Sequence, residues 1–138
     1  MRGYVLDASF ALAVLLPDEA SPVPEDHLAD IVTAGLHVPA LWSVEVGNSL
    51  LTAERRNRLS PARRAQVMRA AQGLAPETHP RLPEACWGRP LDLARLHGLT
   101  LYDACYLDLA LQLDAALLST DRALRRAATA EGITLLPA

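Results

Sequence analysis

The chain has 138 residues, of which 51% are apolar and 21% charged, the balance of one folded domain over residues 1–138 rather than of a disordered tail. A net charge of −3 excludes a uniformly basic nucleic-acid surface, though not a local basic patch. Two cysteines, Cys86 and Cys105, form no C-x-x-C pair, which argues against a zinc ribbon or disulfide scaffold and for a reducing, cytoplasmic setting. All 13 basic side chains are arginine, so lysine-dependent mechanisms are closed to it.

Residues 3–7 read as a short buried strand ending in Asp7. Ser9 is suited to cap the helix that follows, and Pro17 to end it. The apolar run at 10–16 is far below the roughly 18 residues of a membrane span. Asp7 before it and Pro17-Asp18-Glu19 after it do not frame a secretory signal, so no membrane association is expected. Pro22 and Pro24 punctuate a loop before a helix at 25–34, which Gly35 stops. Residues 36–38 form a second strand. A helix at 41–56 places Val44, Leu50 and Leu51 on an apolar pattern. Ser60-Pro61 opens a helix that runs to about Gly73. Residues 77–79 give a weak third strand. A helix at 83–97 is interrupted by Pro90, which must kink or divide it. A strong helix at 102–113, a strand at 115–118, a helix at 121–131 and a strand at 133–136 complete the chain. Short apolar strands alternating with helices predict an α/β fold, a parallel sheet with helices on both faces. Ligands in such folds bind beyond the carboxyl ends of the strands.

Four acids fall at those junctions. Asp7 ends the first strand, Glu45 lies in the first turns of a helix, Asp103 starts another, and Asp121 follows the 115–118 strand. Each has a plain structural use. Asp7 and Asp121 suit helix caps, Glu45 suits the helix dipole, and Asp103 stands three residues after Thr100 at capping-box spacing. A parallel sheet nevertheless brings all four toward one rim. A carboxylate pair at about 4 Å costs roughly 1 kcal/mol in water and roughly 4 at an intermediate effective dielectric. Such a gathering calls for a cation, and carboxylate oxygens suit Mg²⁺ or Mn²⁺. That is equipment for phosphodiester hydrolysis through a metal-activated water.

The stretches Tyr4-Val-Leu-Asp7-Ala-Ser9, Ser43-Val-Glu45-Val-Gly-Asn48, Leu101-Tyr-Asp103-Ala-Cys-Tyr-Leu107 and Leu117-Leu-Ser119-Thr-Asp121-Arg-Ala-Leu124 occur in that order over nearly the whole chain. In these the chain resembles the PIN-domain family, and more narrowly the VapC-type ribonuclease toxins of toxin–antitoxin pairs. The resemblance implies a three-layer α/β/α PIN-like fold with strand order 3-2-1-4-5 and a Mg²⁺-dependent endoribonuclease (Mn²⁺ being the other candidate ion). It carries the catalytic and metal-binding roles onto Asp7, Glu45, Asp103 and Asp121. Ser9 and Ser119 match the hydroxyl positions that accompany the first and last acids. Asn48 matches a polar position one helical turn from Glu45. Partners implied are a VapB-type antitoxin, an RNA substrate and a second copy in a homodimer. Pro90 and Trp87 depart from the family pattern locally.

Other residues carry less. His27, His37, His79 and His97 show no i,i+3 or i,i+4 pairing and adjoin none of the acids in sequence, so a metal-ligand role is not assigned. Cys105 and Trp42 read as core. Asp108, about 140° around its helix from Asp103, reads as facing solvent or the site's edge, and Asp114 as part of a turn. The run Arg55, Arg56, Arg58, Arg63, Arg64 and Arg69 reads as a solvated face or an RNA-backbone contact. Arg122, beside Asp121, is the better local candidate for phosphate. A strand-end aspartate also suits a phosphatase or receiver, but Ser9 stands where such a phosphatase needs a second Asp, and receivers need a lysine. A catalytically silent PIN-type protein-binding module is the remaining alternative.

Overall fold

In a computed structural model, residues 3–16 and 20–138 are described. Pro17, expected to end the first helix, lies outside them, as do Asp18 and Glu19. The element order is β1 (Tyr4–Leu6), α1 (Ala8–Leu15), α2 (Glu25–Ala34), β2 (Leu36–Pro39), α3 (Trp42–Arg55), α4 (Pro61–Gly73) and β3 (Glu77–His79). It continues with α5 (Pro83–Cys86), α6 (Arg89–His97), α7 (Leu101–Leu113), β4 (Ala116–Leu118), α8 (Arg122–Ala130) and β5 (Leu135–Leu136). The five strands form one sheet in the order β3-β2-β1-β4-β5, every neighbouring pair parallel. This is the expected α/β fold and strand order.

The sheet's centre is apolar because both faces are covered. Val5, Leu6, Val38, Leu117 and Leu118 are all buried. Helix α7 packs across β1, β2 and β4 and is buried nearly all round, from Ala104 to Ala110. On α3 the buried stripe is Trp42, Val46 and Leu50, spaced four residues apart. The expected apolar position Val44 is instead 71% exposed, because it lies on the opposite side of the helix from Trp42 and Val46. The expected helix at 83–97 is divided at Trp87-Gly88. Pro90 falls in the first turn of α6, where a missing N–H breaks no helical bond.

Ser9 does not cap α1. The N-cap position is Asp7, whose side chain makes no capping bond, and the Ser9 hydroxyl is directed to that carboxylate. Ser60 and Thr100 do cap α4 and α7, accepting from the Arg63 and Asp103 N–H groups. Asp114 ends α7 in a left-handed conformation, the expected turn.

Candidate active site

The site begins with the pairing of β1 and β4. Leu6 stands beside Leu118, so the residues that leave the two strands, Asp7 and Ser119, emerge side by side. Asp7 is 3% exposed. Its Oδ2 accepts from the Ser9 hydroxyl at 2.5 Å and the Ser119 hydroxyl at 2.8 Å. Each hydroxyl also accepts a backbone N–H, Ser9 from Thr120 at 3.1 Å and Ser119 from Asp121 at 3.1 Å. The two serines thus tie the end of β1 to the turn after β4, and among the described residues Oδ1 of Asp7 receives no side-chain donor. Arg125 supports the same turn, donating to the Ser119 carbonyl at 2.9 Å and the Pro137 carbonyl at 2.8 Å.

The other three acids all stand at helix starts. Glu45 lies in the first turn of α3 and Asp103 in the first turn of α7. Asp121 is the N-cap of α8, its Oδ2 accepting from the Leu124 N–H at 2.9 Å. The structural reading of Asp121 therefore holds, and one of its oxygens is used for it.

The acids also feel one another. Burial raises the pKa of Asp7, the Asp121 charge adds to this, and the serine hydroxyls oppose it. Glu45 is pushed up to about 7, first by burial and then by the charges of Asp7 and Asp103. Asp103 is pushed up to about 6, first by burial and then by Asp121 and Asp7. The fold thus brings the four acids near enough to act on one another's charge. They do not crowd: among the described residues, no three of them bring carboxylate oxygens within 4.8 Å of one another.

Beside these acids, Glu45 Oε1 and the Tyr106 hydroxyl are buried without a hydrogen-bond partner among the described residues. The hydroxyl is near enough to favour the Glu45 anion slightly, yet makes no aligned bond to it. Burial, followed by the Glu45 and Asp7 charges, raises the Tyr106 pKa. Sequence reasoning did not single out Tyr106. Its position three residues after Asp103, on the same helix face, was the available signal.

Asn48 is exposed, one turn along α3 from Glu45. With Leu16, Thr52, Arg56 and Arg58 it lines a cavity of about 420 Å³. Arg122 is exposed and, among the described residues, makes no hydrogen bond or ion pair. In the arginine run, Arg64 pairs with Glu54 at 2.6 Å and Arg63 donates to Gln66, whereas Arg55, Arg56, Arg58 and Arg69 are exposed.

One expectation is corrected here. Asp108 does not face solvent. It is 3% exposed and paired with Arg81 and Arg89, because α7 is enclosed on that side as well. The histidines keep no i,i+3 or i,i+4 pairing, but the fold brings two of them together across strands. His37 and His79, on adjacent strands, bring ring nitrogens to 2.9 Å. Strand register, which sequence spacing does not reveal, made this pair.

Comparison with known proteins agrees with the architecture. The PIN domain profile matches residues 4–130, and the chain belongs to the PIN-domain family. Domains of this family are generally nucleases. Among solved structures, the chain is similar to PAE2754 from Pyrobaculum aerophilum, with a TM-score of 0.73 and 23% identity over 97% of this chain and 83% of that one. It is also similar to FitAcB from Neisseria gonorrhoeae, with a TM-score of 0.67 and 16% identity over 96% of this chain and 95% of that one. No curated protein sequence matches it.

Proposed function

We propose that the chain is a Mg²⁺-dependent endoribonuclease (Mn²⁺ serving as well), the toxin of a toxin–antitoxin pair, acting in the cytoplasm and held in check by a VapB-type antitoxin. One observation carries the reading. A buried aspartate fixed by two serine hydroxyls stands among Glu45, Asp103 and Asp121, and burial with these neighbouring charges pushes Glu45 up to about 7 and Asp103 up to about 6. A pocket that resists its own ionisation favours a cation.

The donor set fits Mg²⁺. The ligands are all oxygen, and Glu45 Oε1 is buried with its lone pairs unused. The spread of the carboxylates also suits an ion that keeps several waters and takes only one or two acids directly. When bound, the metal supplies an activated water and neutralises charge on the reacting phosphate.

The chain's own residues do the rest. Ser9 and Ser119 orient Asp7 through Oδ2 and, among the described residues, leave Oδ1 without a side-chain donor. Asp121 keeps one oxygen on its helix and offers the other. Arg122, exposed at the start of α8, is the candidate for a phosphate oxygen. Asn48 on α3, with Arg56 and Arg58 just after it, extends the track for the RNA backbone. The six aromatic residues offer no stacking ladder, so target choice rests on RNA shape.

The test is cleavage of total RNA by the purified chain with Mg²⁺, with Mn²⁺ and with chelator, alongside Asp7→Asn. The expected result is metal-dependent cutting that falls at least about 100-fold in the variant while its circular dichroism is unchanged. Cutting that persists in chelator after metal stripping overturns the reading. No cutting, together with no Mg²⁺ binding at millimolar concentration, favours a catalytically silent PIN-type protein-binding module. Growth arrest relieved by a neighbouring open reading frame tests the toxin assignment, and sedimentation tests the homodimer.

A further inference from the structure

The β3 edge of the sheet carries a second constellation, chemically unlike the four acids. His37 of β2 stands in register with Glu77 of β3, and His79 follows Glu77 by two residues, so all three side chains share one face. His37 Nδ1 lies 2.9 Å from His79 Nε2 and 3.4 Å from Glu77 Oε2, and His79 Nε2 lies 3.9 Å from that oxygen. The ring planes are tilted 53° rather than stacked, with centroids 5.1 Å apart. Gly3, at φ +85, lets the ring lie close. A Cβ there would come within 3.2 Å of His37 Nε2 and 2.7 Å of the Gly35 carbonyl. The backbone thus confines one edge of His37, and the other edge faces Glu77 and His79.

We propose that His37, Glu77 and His79 form a Zn²⁺ site that fastens the edge strand β3 to β2. Tetrahedral zinc with ligands at about 2.0–2.1 Å sets neighbouring donors roughly 3.3 Å apart. The three separations of 2.9, 3.4 and 3.9 Å bracket that value, so adjustments of a few tenths of an ångström seat the ion. Two imidazoles and one carboxylate are a set that zinc takes, with water in the fourth position. Glu77 is exposed, its side chain 69% so, which gives that water its access. The same donors suit Mg²⁺ poorly, since it prefers oxygen. The two sites therefore divide their ions by chemistry, and this one does not depend on the nuclease reading.

The strand needs such a fastening. β3 has three residues, two exposed and one half-buried, and pairs only with β2. Little apolar burial holds it, yet it leads into Arg81, which neutralises buried Asp108. A metal link across the β2–β3 pair fixes the strand by coordination instead.

The experiment is calorimetric titration of the metal-stripped full chain with ZnCl₂ in millimolar Mg²⁺, beside His79→Gln, Glu77→Gln and Asp7→Asn. The expected stoichiometry is one zinc per chain. Affinity falls about 100-fold or more in His79→Gln, at least matching what loss of an outer partner costs, and is unchanged in Asp7→Asn. Glu77 is exposed, so Glu77→Gln keeps the fold and tests ligation alone. It is expected to weaken zinc at least about tenfold. Zinc is also expected to slow amide exchange at Thr78 and His79. Three results overturn the proposal: no zinc binding, which leaves a histidine–histidine hydrogen bond only; binding lost in Asp7→Asn and retained in His79→Gln; or affinity unchanged in Glu77→Gln.

Discussion

Replacing Glu45 by glutamine separates the acid pocket's electrostatics from its shape. Glu45 titrates near 7 in the folded protein, against an ordinary value of 4.5. A raised carboxyl pKa means that the folded state binds the proton more tightly than the unfolded state. The native form therefore loses stability as pH rises from about 4.5 to about 7, and the loss is complete above that window. At 1.36 kcal/mol per pKa unit the full shift is worth roughly 3 kcal/mol. The group is only half-buried, and screening by water reduces this to about 1–2 kcal/mol. Glutamine has the same shape and no titration, so Glu45→Gln in chelator gains that amount over the parent chain at pH 8 and not at pH 4.5. For a domain of this size the gain is about 3–8 °C in Tm. Excess Mg²⁺ narrows the difference, because the ion stabilises only a chain that can hold it. Thermal melts of both proteins at pH 4.5, 6 and 8, with chelator and with Mg²⁺, give the measurement. A difference in Tm that does not change with pH refutes the electrostatic account. So does a glutamine variant less stable than its parent at pH 8 without metal.

The remaining expectations concern the supports around the pocket. Ser119→Ala removes one of the two hydroxyls on Asp7 and unpairs the Asp121 N–H, so chemical denaturation should show a loss of about 1–3 kcal/mol. RNA cleavage by this variant should fall by less than the fall expected of Asp7→Asn. Asp108→Ala leaves Arg81 and Arg89 without their shared carboxylate and should cost about 3 kcal/mol in urea melts, while cleavage per folded molecule stays unchanged. Replacing Arg56 and Arg58 together by alanine should lower RNA affinity, flatten its dependence on salt concentration, and leave Mg²⁺ binding intact, as fluorescence anisotropy across a salt series would show.

What the chain discloses without its structure follows a physical rule. Asp7, Glu45, Asp103 and Asp121 are legible because each sits where an element begins or ends, and the order of elements in a parallel sheet decides where those points lie. Val44 misleads because three apolar residues on α3 fit two helical faces, and only packing chooses between them. Asp108 misleads because rotation away from Asp103 means exposure on a surface helix and not on α7, which is enclosed on both sides. The His37–Glu77–His79 group is invisible for another reason. It depends on the register between β2 and β3, which the long stretch of chain between them leaves unstated.

The same geometry explains how the fold tolerates four acids close to one another. Asp7 and Asp121 occupy the N-cap positions of α1 and α8, and Glu45 and Asp103 the first turns of α3 and α7. Four helix N-termini thus point their positive ends at the gathered charge, each worth about 0.3–1 kcal/mol to an anion. That compensation is incomplete, since burial and the neighbouring charges still push Glu45 up to about 7 and Asp103 up to about 6. Were the dipoles sufficient, the acids would be conventional caps with ordinary acidity. The charge that remains uncompensated is what a divalent ion would neutralise, and it sits where the serine-held carboxylate of Asp7 leaves one oxygen without a side-chain donor.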